Sequence, residues 1–392
     1  MILMRQYFPI VKERVRAREF NSLFLFVTSR CNSLCRTCFY FDKLNSPDDL
    51  TTAQIERISA TAPPFRKLWL SGGEPFLREN LAEIVALFGR CKGVRNVNLP
   101  TNGLLLEKIF RIVDRMLELY PEVAIDLNFS LDGLTNTHDS IRGVPHNFVR
   151  TLATIEQAER RYGGVRRLRR NVLTVITREN YNEIVALGLH LMEQSHIDGQ
   201  YFEVVRGAAP DPSLKQLTQA GVAALHRRPA LRAPPVPSPL CRQAFPGTCR
   251  QACGISRRCI TWATCDSFDL HEQCLESPKK WPMLCTAGET SIVIDHNGRF
   301  RACEMRGIVG DLADFDFDVR RALKSEAMRA EVCAIPAANC WCTHSCFIQD
   351  SSKFQPSVQL FHIAWAWFRQ RIDRLPELPA AELERFKALE LA

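Results

Sequence analysis

No stretch of the chain offers the roughly 20 consecutive apolar residues that cross a bilayer; the longest uncharged runs, such as Phe361 to Phe368, end far sooner. Charges interrupt Met1 to Phe20 too early for an export signal. A membrane protein is therefore not expected, and the expected compartment is the cytoplasm. Acidic residues are missing from one long segment: between Ser213 and Cys265 there are eight Lys or Arg and no Asp or Glu. That segment carries the whole net charge of +8, because the other 43 basic residues balance 43 acidic ones. The charge thus describes one segment and gives the chain as a whole no nucleic-acid footprint. There is no internal repeat.

What remains is ordinary globular material, 392 residues of which 46% are hydrophobic and 24% charged, enough to bury a large core and to exclude a disordered tail protein. Cysteine is plentiful, with 16 residues. In a small secreted domain that count would mean disulfides; in a large chain without an export signal, clustered cysteines more often bind metal.

The first two hundred residues alternate short β-type runs with segments of helical period, the pattern of a parallel α/β sheet. Strands are expected at Ser22–Thr28, Lys67–Ser71, Val94–Pro100, Ala124–Leu131, Val172–Thr177 and Tyr201–Val205. Helices are expected at Leu81–Phe88, Leu106–Leu119, Phe148–Tyr162 and Tyr181–Gln194, with one more after the cap-like Thr51. Six β/α units suit a partial barrel of the TIM type, with its ligand site at the carboxyl ends of the strands. A Pro- and Arg-rich stretch from Pro210 to Pro239 reads as linker. A small cysteine-rich α+β region then begins near Cys285, with a hairpin turning at Asn297 and Gly298. The expected division is a barrel over 1–207, a linker or irregular insertion over 208–280, a cysteine-rich domain over 281–350 and a helical tail over 351–392.

Cys31, Cys35 and Cys38 form a C-x3-C-x2-C set directly after the first strand. Three thiolates on one loop can hold three corners of a cubane iron–sulfur cluster and leave the fourth iron for a small molecule. Zinc is the alternative, although a structural zinc takes four protein ligands and no fourth Cys or His follows within twenty residues. After the second strand come Gly72, Gly73 and Glu74. The glycines let a ligand approach the backbone, and the carboxylate can receive an ammonium group.

These two motifs, at the same end of successive strands, resemble those of the radical S-adenosylmethionine (SAM) enzymes over Phe20 to about Gly207. The resemblance implies that Cys31, Cys35 and Cys38 hold a [4Fe-4S] cluster whose open iron is chelated by SAM, and that Gly72, Gly73 and Glu74 receive the methionyl amine. It further implies SAM contacts from Asn102 in Pro-Thr-Asn-Gly, from Ser130 and Asp132 in Ser-Leu-Asp-Gly, and from Arg142 near the SAM carboxylate. The sequence departs from the family at Thr37, where an aromatic usually packs on adenine; Phe39 or Tyr40 is the substitute. The implied chemistry is reductive cleavage of SAM to a 5′-deoxyadenosyl radical that removes hydrogen from the substrate. No catalytic residue beyond the cofactor-binding groups is assigned.

The C-terminal cysteines, Cys285, Cys303, Cys340, Cys342 and Cys346, are similar to the SPASM or twitch extension of that family, which implies one auxiliary [4Fe-4S] cluster. The ligand choice is Cys285, Cys303, Cys342 and Cys346, with Cys340 the substitute and Cys333 last. Four of these thiols could instead hold zinc, with His344 as an alternative ligand. Cys241, Cys249, Cys253, Cys259 and Cys265 fall in the acid-free segment and are read as part of a solvated insertion. Arg160 to Arg170 is a second basic run, read as a solvated helix end leading into a strand. Glu203 and Arg206, ending the sixth strand, should face the barrel mouth.

The expected activity is a redox modification of a small molecule or a peptide, fed by a flavodoxin- or ferredoxin-like electron donor, with no membrane partner and nucleic acid disfavoured. The opposing readings are a noncatalytic zinc module contacting nucleic acid and a cluster-binding but inactive homologue.

Overall fold

The computed structural model describes residues 19–194, 197–216 and 283–355, apart from 339, 341 and 353. Most of the linker, with the five cysteines from Cys241 to Cys265, and the tail beyond 355 lie outside the described residues.

Six parallel strands build the first part: β1 (Ser22–Thr28), β2 (Lys67–Gly72), β3 (Asn96–Thr101), β4 (Ala124–Ser130), β5 (Leu168–Ile176) and β6 (Gly199–Val204). They lie side by side in chain order, so each connection returns through a helix. The helices are α1 (Thr52–Thr61), α2 (Leu81–Lys92), α3 (Leu106–Leu119), α4 (Thr135–Arg142), α5 (Asn147–Tyr162) and α6 (Ile184–Gln194). Thr51 caps α1 in a reciprocal box with Gln54. In α3 the buried residues Ile109, Phe110, Ile112, Val113 and Met116 fall on one face. This is the expected open barrel, with every expected strand present to within a few residues of its expected ends. The short helix α4 was not foreseen, because its sequence TNTHDSIR has only one strongly apolar residue and buries only His138 and Ile141.

The C-terminal segment joins the same sheet. Strand β7 (Ser291–Ile294) pairs parallel to β1, and β8 (Arg299–Arg301) and β9 (Gly310–Asp311) continue antiparallel to give nine strands. All seven residues of β1 are buried because it has neighbours on both edges and cover on both faces. The hairpin turns as expected at Gly298, whose φ of +91° favours glycine. Helices α7 (Val319–Leu323), α8 (Glu326–Ala337) and α9 (Ser345–Ser352) follow.

Helix α9 spans the open side of the barrel. Its Phe347 stacks on Phe24 of β1 at 4.9 Å, and Phe24 stacks on Trp69 of β2 at 5.4 Å. Its Ser345 hydroxyl donates to Glu203 on β6. The C-terminal region thus ties the first and last strands of the parallel set.

Candidate active site

A cavity of about 590 Å³ runs inside the barrel. Its wall includes Cys31, Cys35 and Cys38, the Gly72-Gly73-Glu74 turn, Asn102, Ser130 and Arg142, together with Glu203, Arg206, Glu304 and Cys346 from the α9 side. The two motifs that the sequence set at the carboxyl ends of β1 and β2 therefore share one space with part of the C-terminal region.

The cysteine loop is held from beneath. The Asp49 carboxylate accepts from the Ser29 amide at 2.6 Å and from the Thr28 hydroxyl, and the Asn45 side-chain carbonyl accepts from the Cys31 amide at 3.0 Å. Farther along, the Arg36 amide donates to the Ile141 carbonyl at 2.9 Å. The two glycines serve this loop directly. A Cβ on Gly72 would fall 2.1 Å from the Thr28 carbonyl oxygen, and one on Gly73 would fall 2.1 Å from that of Arg30. The Gly73 and Glu74 amides donate to those same carbonyls at 2.9 and 2.8 Å. The sequence argument gave the glycines to ligand approach; the structure shows that they also let the second strand close against the cysteine loop.

Glu74 is buried, with its carboxylate accepting from the Asn102 amide at 2.8 Å and the Phe76 amide at 3.3 Å. Burial nevertheless pushes its pKa up to about 7, outweighing its hydrogen bonds and the weaker attraction of Arg142. A buried carboxylate of this kind gains most from an incoming ammonium group. Asn102 donates to the Asn32 side chain at 2.7 Å and to Ser33 at 3.1 Å.

Asp132 behaves differently from the other residues of its set. It is fully buried and does not line the cavity: it accepts from the Val175 amide at 2.8 Å and pairs with Arg142 at 2.7 Å. Its role is to aim Arg142, whose Nη1 lies 3.7 Å from the Cys35 sulfur. Thr37, Phe39 and Tyr40 all reach the cavity wall. Tyr40 is tied by its hydroxyl to His296 Nδ1 at 2.5 Å, whereas Phe39 lies beneath the Arg206 guanidinium at 5.0 Å.

Burial raises the pKa of Cys31 to about 12 and of Cys38 to about 11, so both stay protonated until a metal displaces the proton. Zinc is a poor match for these thiols. Tetrahedral zinc, bonded to sulfur at about 2.3 Å, draws its thiolates to within ~3.8 Å of each other. Among the described residues the one group of three donors that all lie within 4.8 Å is Glu203, His344 and Cys346, so no three cysteine sulfurs are that close. The wider spacing, on a loop that opens into a cavity, fits a multi-iron cluster. Glu203 and His344 are themselves already committed, Glu203 to Arg206 and Ser345 and His344 to Glu304.

At the C-terminal end the thiols divide. Burial raises Cys285 to about 11 and Cys303 to about 12, and it raises Cys342 further. Each is pushed further by Cys340, and Cys342 also by Cys285 and Cys303, so these four form one neighbourhood. Cys346 is raised to about 12 first by burial and then by Glu304, with no other cysteine among its main influences. Its sulfur is 4.0 Å from the Glu203 carboxylate, on the cavity wall. The sequence prefers Cys346 to Cys340 as the fourth auxiliary ligand; the electrostatic neighbours of Cys342 are instead Cys285, Cys303 and Cys340, and Cys346 lies on the cavity wall. Cys333 is exposed.

The sequence gave no attention to the polar residues that face into the barrel. Asn171 donates to Asn128 at 3.1 Å, and Asn128 donates to Asn98 at 3.0 Å, an amide ladder across β5, β4 and β3. Arg169 pairs with Asp126 below it at 2.8 Å. The signal was present as polar residues at alternate positions in NVN, IDLN and RRN, where an inward face would otherwise be apolar. The same pairing takes up much of the basic run: Arg161 binds Asp114, Arg169 binds Asp126 and Arg170 binds Asp198.

The open parallel barrel with a three-cysteine loop above its first strand and a Gly-Gly-Glu turn above its second defines a radical SAM domain. Residues 25–189 match the Radical SAM superfamily model. A radical SAM fold implies SAM and a [4Fe-4S] cluster as cofactors. Curated relatives include the GTP 3′,8-cyclase of Staphylococcus carnosus (strain TM300), 34% identical over 30% of this chain and 36% of that protein. Another is the GTP 3′,8-cyclase of Staphylococcus aureus (strain Mu3), 27% identical over 49% of this chain and 56% of that protein. The chain thus spans from about a third to somewhat over half of these relatives. Among solved structures, native anSMEcpe with bound AdoMet and Cp18Cys peptide superposes with a TM-score of 0.55 at 14% identity, covering 89% of this chain and 99% of that one. SuiB of Streptococcus suis bound to S-adenosylmethionine gives 0.50 at 15%, covering 83% and 68%. At these identities the likeness is one of fold. No helix among the described residues is long and apolar enough to cross a membrane.

Proposed function

We propose that this chain is a radical SAM enzyme that binds a [4Fe-4S] cluster through Cys31, Cys35 and Cys38 and performs a redox modification on a small, polar substrate inside the barrel. The observation that carries this reading is that the three cysteines, the Gly72-Gly73-Glu74 turn and a polar interior line one cavity. When bound, the cluster and SAM supply a carbon-centred radical able to remove a hydrogen atom from the substrate. The chain's part is to bind and orient. Glu74 receives the methionyl ammonium, Arg142 faces the carboxylate with Asp132 holding it in place, and Asn102 and Ser130 complete the cradle. Enclosure within the barrel keeps water from the reacting carbon. Cys285, Cys303, Cys340 and Cys342 would hold one auxiliary [4Fe-4S] cluster, supplying a one-electron acceptor for a net oxidation. A flavodoxin- or ferredoxin-like protein is the electron donor we infer.

A second reading, ring closure on a nucleotide, is favoured by the name of the curated relatives. The charge of the cavity argues against it. Three of the four cations on its wall are neutralised, Arg142 by Asp132, Arg169 by Asp126, and Arg206 by Glu203 and Glu304, while the fourth, Lys67, lies over the Trp69 ring at 5.4 Å. A triphosphate needs cations that are not already neutralised, and a polar substrate without net charge suits these balanced pairs. A peptide substrate is a further alternative, since the solved structure of anSMEcpe holds a bound peptide.

The test is anaerobic reconstitution with iron and sulfide, then metal counting and a 5′-deoxyadenosine assay on the wild type and on a variant with Cys31, Cys35 and Cys38 all changed to alanine. The expectation is roughly eight irons falling to about four, with SAM cleavage abolished. Zinc without iron, or cleavage that survives the triple change, overturns the proposal. Consumption of GTP in the same assay would install the cyclase reading.

A further inference from the structure

Helix α9 places Cys346 in a position that the cluster-binding roles do not use. Its neighbours Ser345 and Gln349 also line the cavity, while Phe347 packs behind them against Phe24. The thiol lies on the wall of the same space as the Cys31–Cys38 loop, 4.0 Å from the Glu203 carboxylate, whereas Cys285, Cys303, Cys340 and Cys342 do not line that cavity. Trp69 lines that cavity as well, and its buried indole N–H meets no acceptor among the described residues. A buried donor left unpaired on a cavity wall can be satisfied by a substrate oxygen. The Trp69–Phe24–Phe347 stack connects that donor to the helix carrying Cys346.

We propose that Cys346 is a catalytic hydrogen-atom donor to the substrate radical, not a cluster ligand. This rests on the radical SAM reading above. An S–H bond is weaker than most C–H bonds, so a thiol beside a carbon radical gives up its hydrogen atom downhill. The S–H bond breaks, the new C–H bond forms, and a thiyl radical is left on Cys346. One electron from a flavodoxin- or ferredoxin-class reductant and one proton from water restore the thiol. Burial and the nearby Glu304 charge keep Cys346 protonated at neutral pH, which is the state a hydrogen donor needs. A reaction completed this way returns hydrogen to the substrate at the carbon from which it was taken or at a neighbouring one, so the inference keeps the radical SAM part of the reading above and replaces its net oxidation with a change that is redox-neutral for the substrate.

The full chain tests this in two linked measurements after anaerobic reconstitution. Iron counting on Cys346→Ala should match the wild type, whereas Cys340→Ala should lose up to the four irons of the auxiliary site. The second measurement is SAM cleavage in D2O with dithionite, no added thiol and no substrate. There the wild type should pass deuterium from Cys346 to 5′-deoxyadenosine, and the label should fall at least about fivefold in both Cys346→Ala and Cys346→Ser. Serine keeps the size but has too strong an O–H bond, so its failure separates hydrogen donation from packing. Iron lost in Cys346→Ala, or equal deuterium in all three proteins, overturns the inference while the radical SAM reading stands. A wild type that binds no iron or cleaves no SAM overturns both.

Discussion

On the cavity wall the thiols proposed to hold metal come from a single loop, Cys31 to Cys38; off that wall the thiols proposed for the auxiliary site come from segments as far apart as Cys285 and Cys342. The first arrangement is fixed by local spacing and by a backbone that can be held in only a few ways. The second is fixed by tertiary structure: β7 must pair with β1, β8 must turn back at Gly298, and α9 must settle across the open side of the barrel before the cysteines find their neighbours. Local chemistry can be read along a sequence, whereas assembly from distant segments needs the topology.

The reading of the sequence divides along the same line. The alternating pattern places all six parallel strands and the hairpin, because burial on both faces of β1 and on the inner faces of its partners demands apolar runs of strand length. The cysteine loop and the Gly-Gly-Glu turn follow from that placement. Ser-Leu-Asp-Gly does not disclose that the Asp132 carboxylate pairs with Arg142 and lies off the cavity wall. The proposed order of Cys340 and Cys346 differs from the one expected from sequence for the same kind of reason. The residues from Cys340 to Cys346 place several thiols close together in sequence, and only the docking of Phe347 on Phe24 decides which of them faces the barrel.

The largest effect should come from breaking the local end. Gly73→Ala puts a Cβ where the Arg30 carbonyl oxygen stands 2.1 Å away, so either the cysteine loop or the Gly-Gly-Glu turn must move by about 1 Å. A displacement of that size at a reacting centre costs on the order of a hundredfold in rate. The expected outcome is at least that loss in SAM cleavage, with the auxiliary iron retained. Loss of the auxiliary iron instead would mean that the two ends are not separately built.

Phe347→Ala attacks the assembled end. Phe347 is buried and stacked on Phe24, and truncating such a ring costs roughly 3–5 kcal/mol. Urea unfolding should show that loss, and the variant should lose auxiliary iron before it loses iron from the Cys31–Cys38 site. Equal loss from both would show that α9 supports the whole barrel and not chiefly its C-terminal side.

The smallest effect concerns two carboxylates in the one cavity that shift in opposite directions. Glu304 is opposed by burial, yet His344 and Arg206 hold it near 2, so its contribution to stability is present above about 4.5 and is lost as pH falls toward 2. At Glu74 burial outweighs the hydrogen bonds and the weaker attraction of Arg142 and lifts the pKa from 4.5 to about 7. Between those values the folded chain keeps a proton that the unfolded chain has released. The stability from Glu74 is therefore complete below about 4.5 and falls as pH rises through about 7, by about 3 kcal/mol in all. Glu74→Gln, which cannot ionise, should remove that decline. Urea unfolding of the metal-free chain at pH 5 and pH 8 should show the wild type losing about 3 kcal/mol relative to the variant. An ammonium group docked on the carboxylate favours its charged form, so saturating SAM should lower the Glu74 pKa and flatten the wild-type decline while leaving the variant unchanged. Parallel curves for the two proteins without SAM would show that Glu74 is already charged in the free chain, and that the cradle holds a cation of its own.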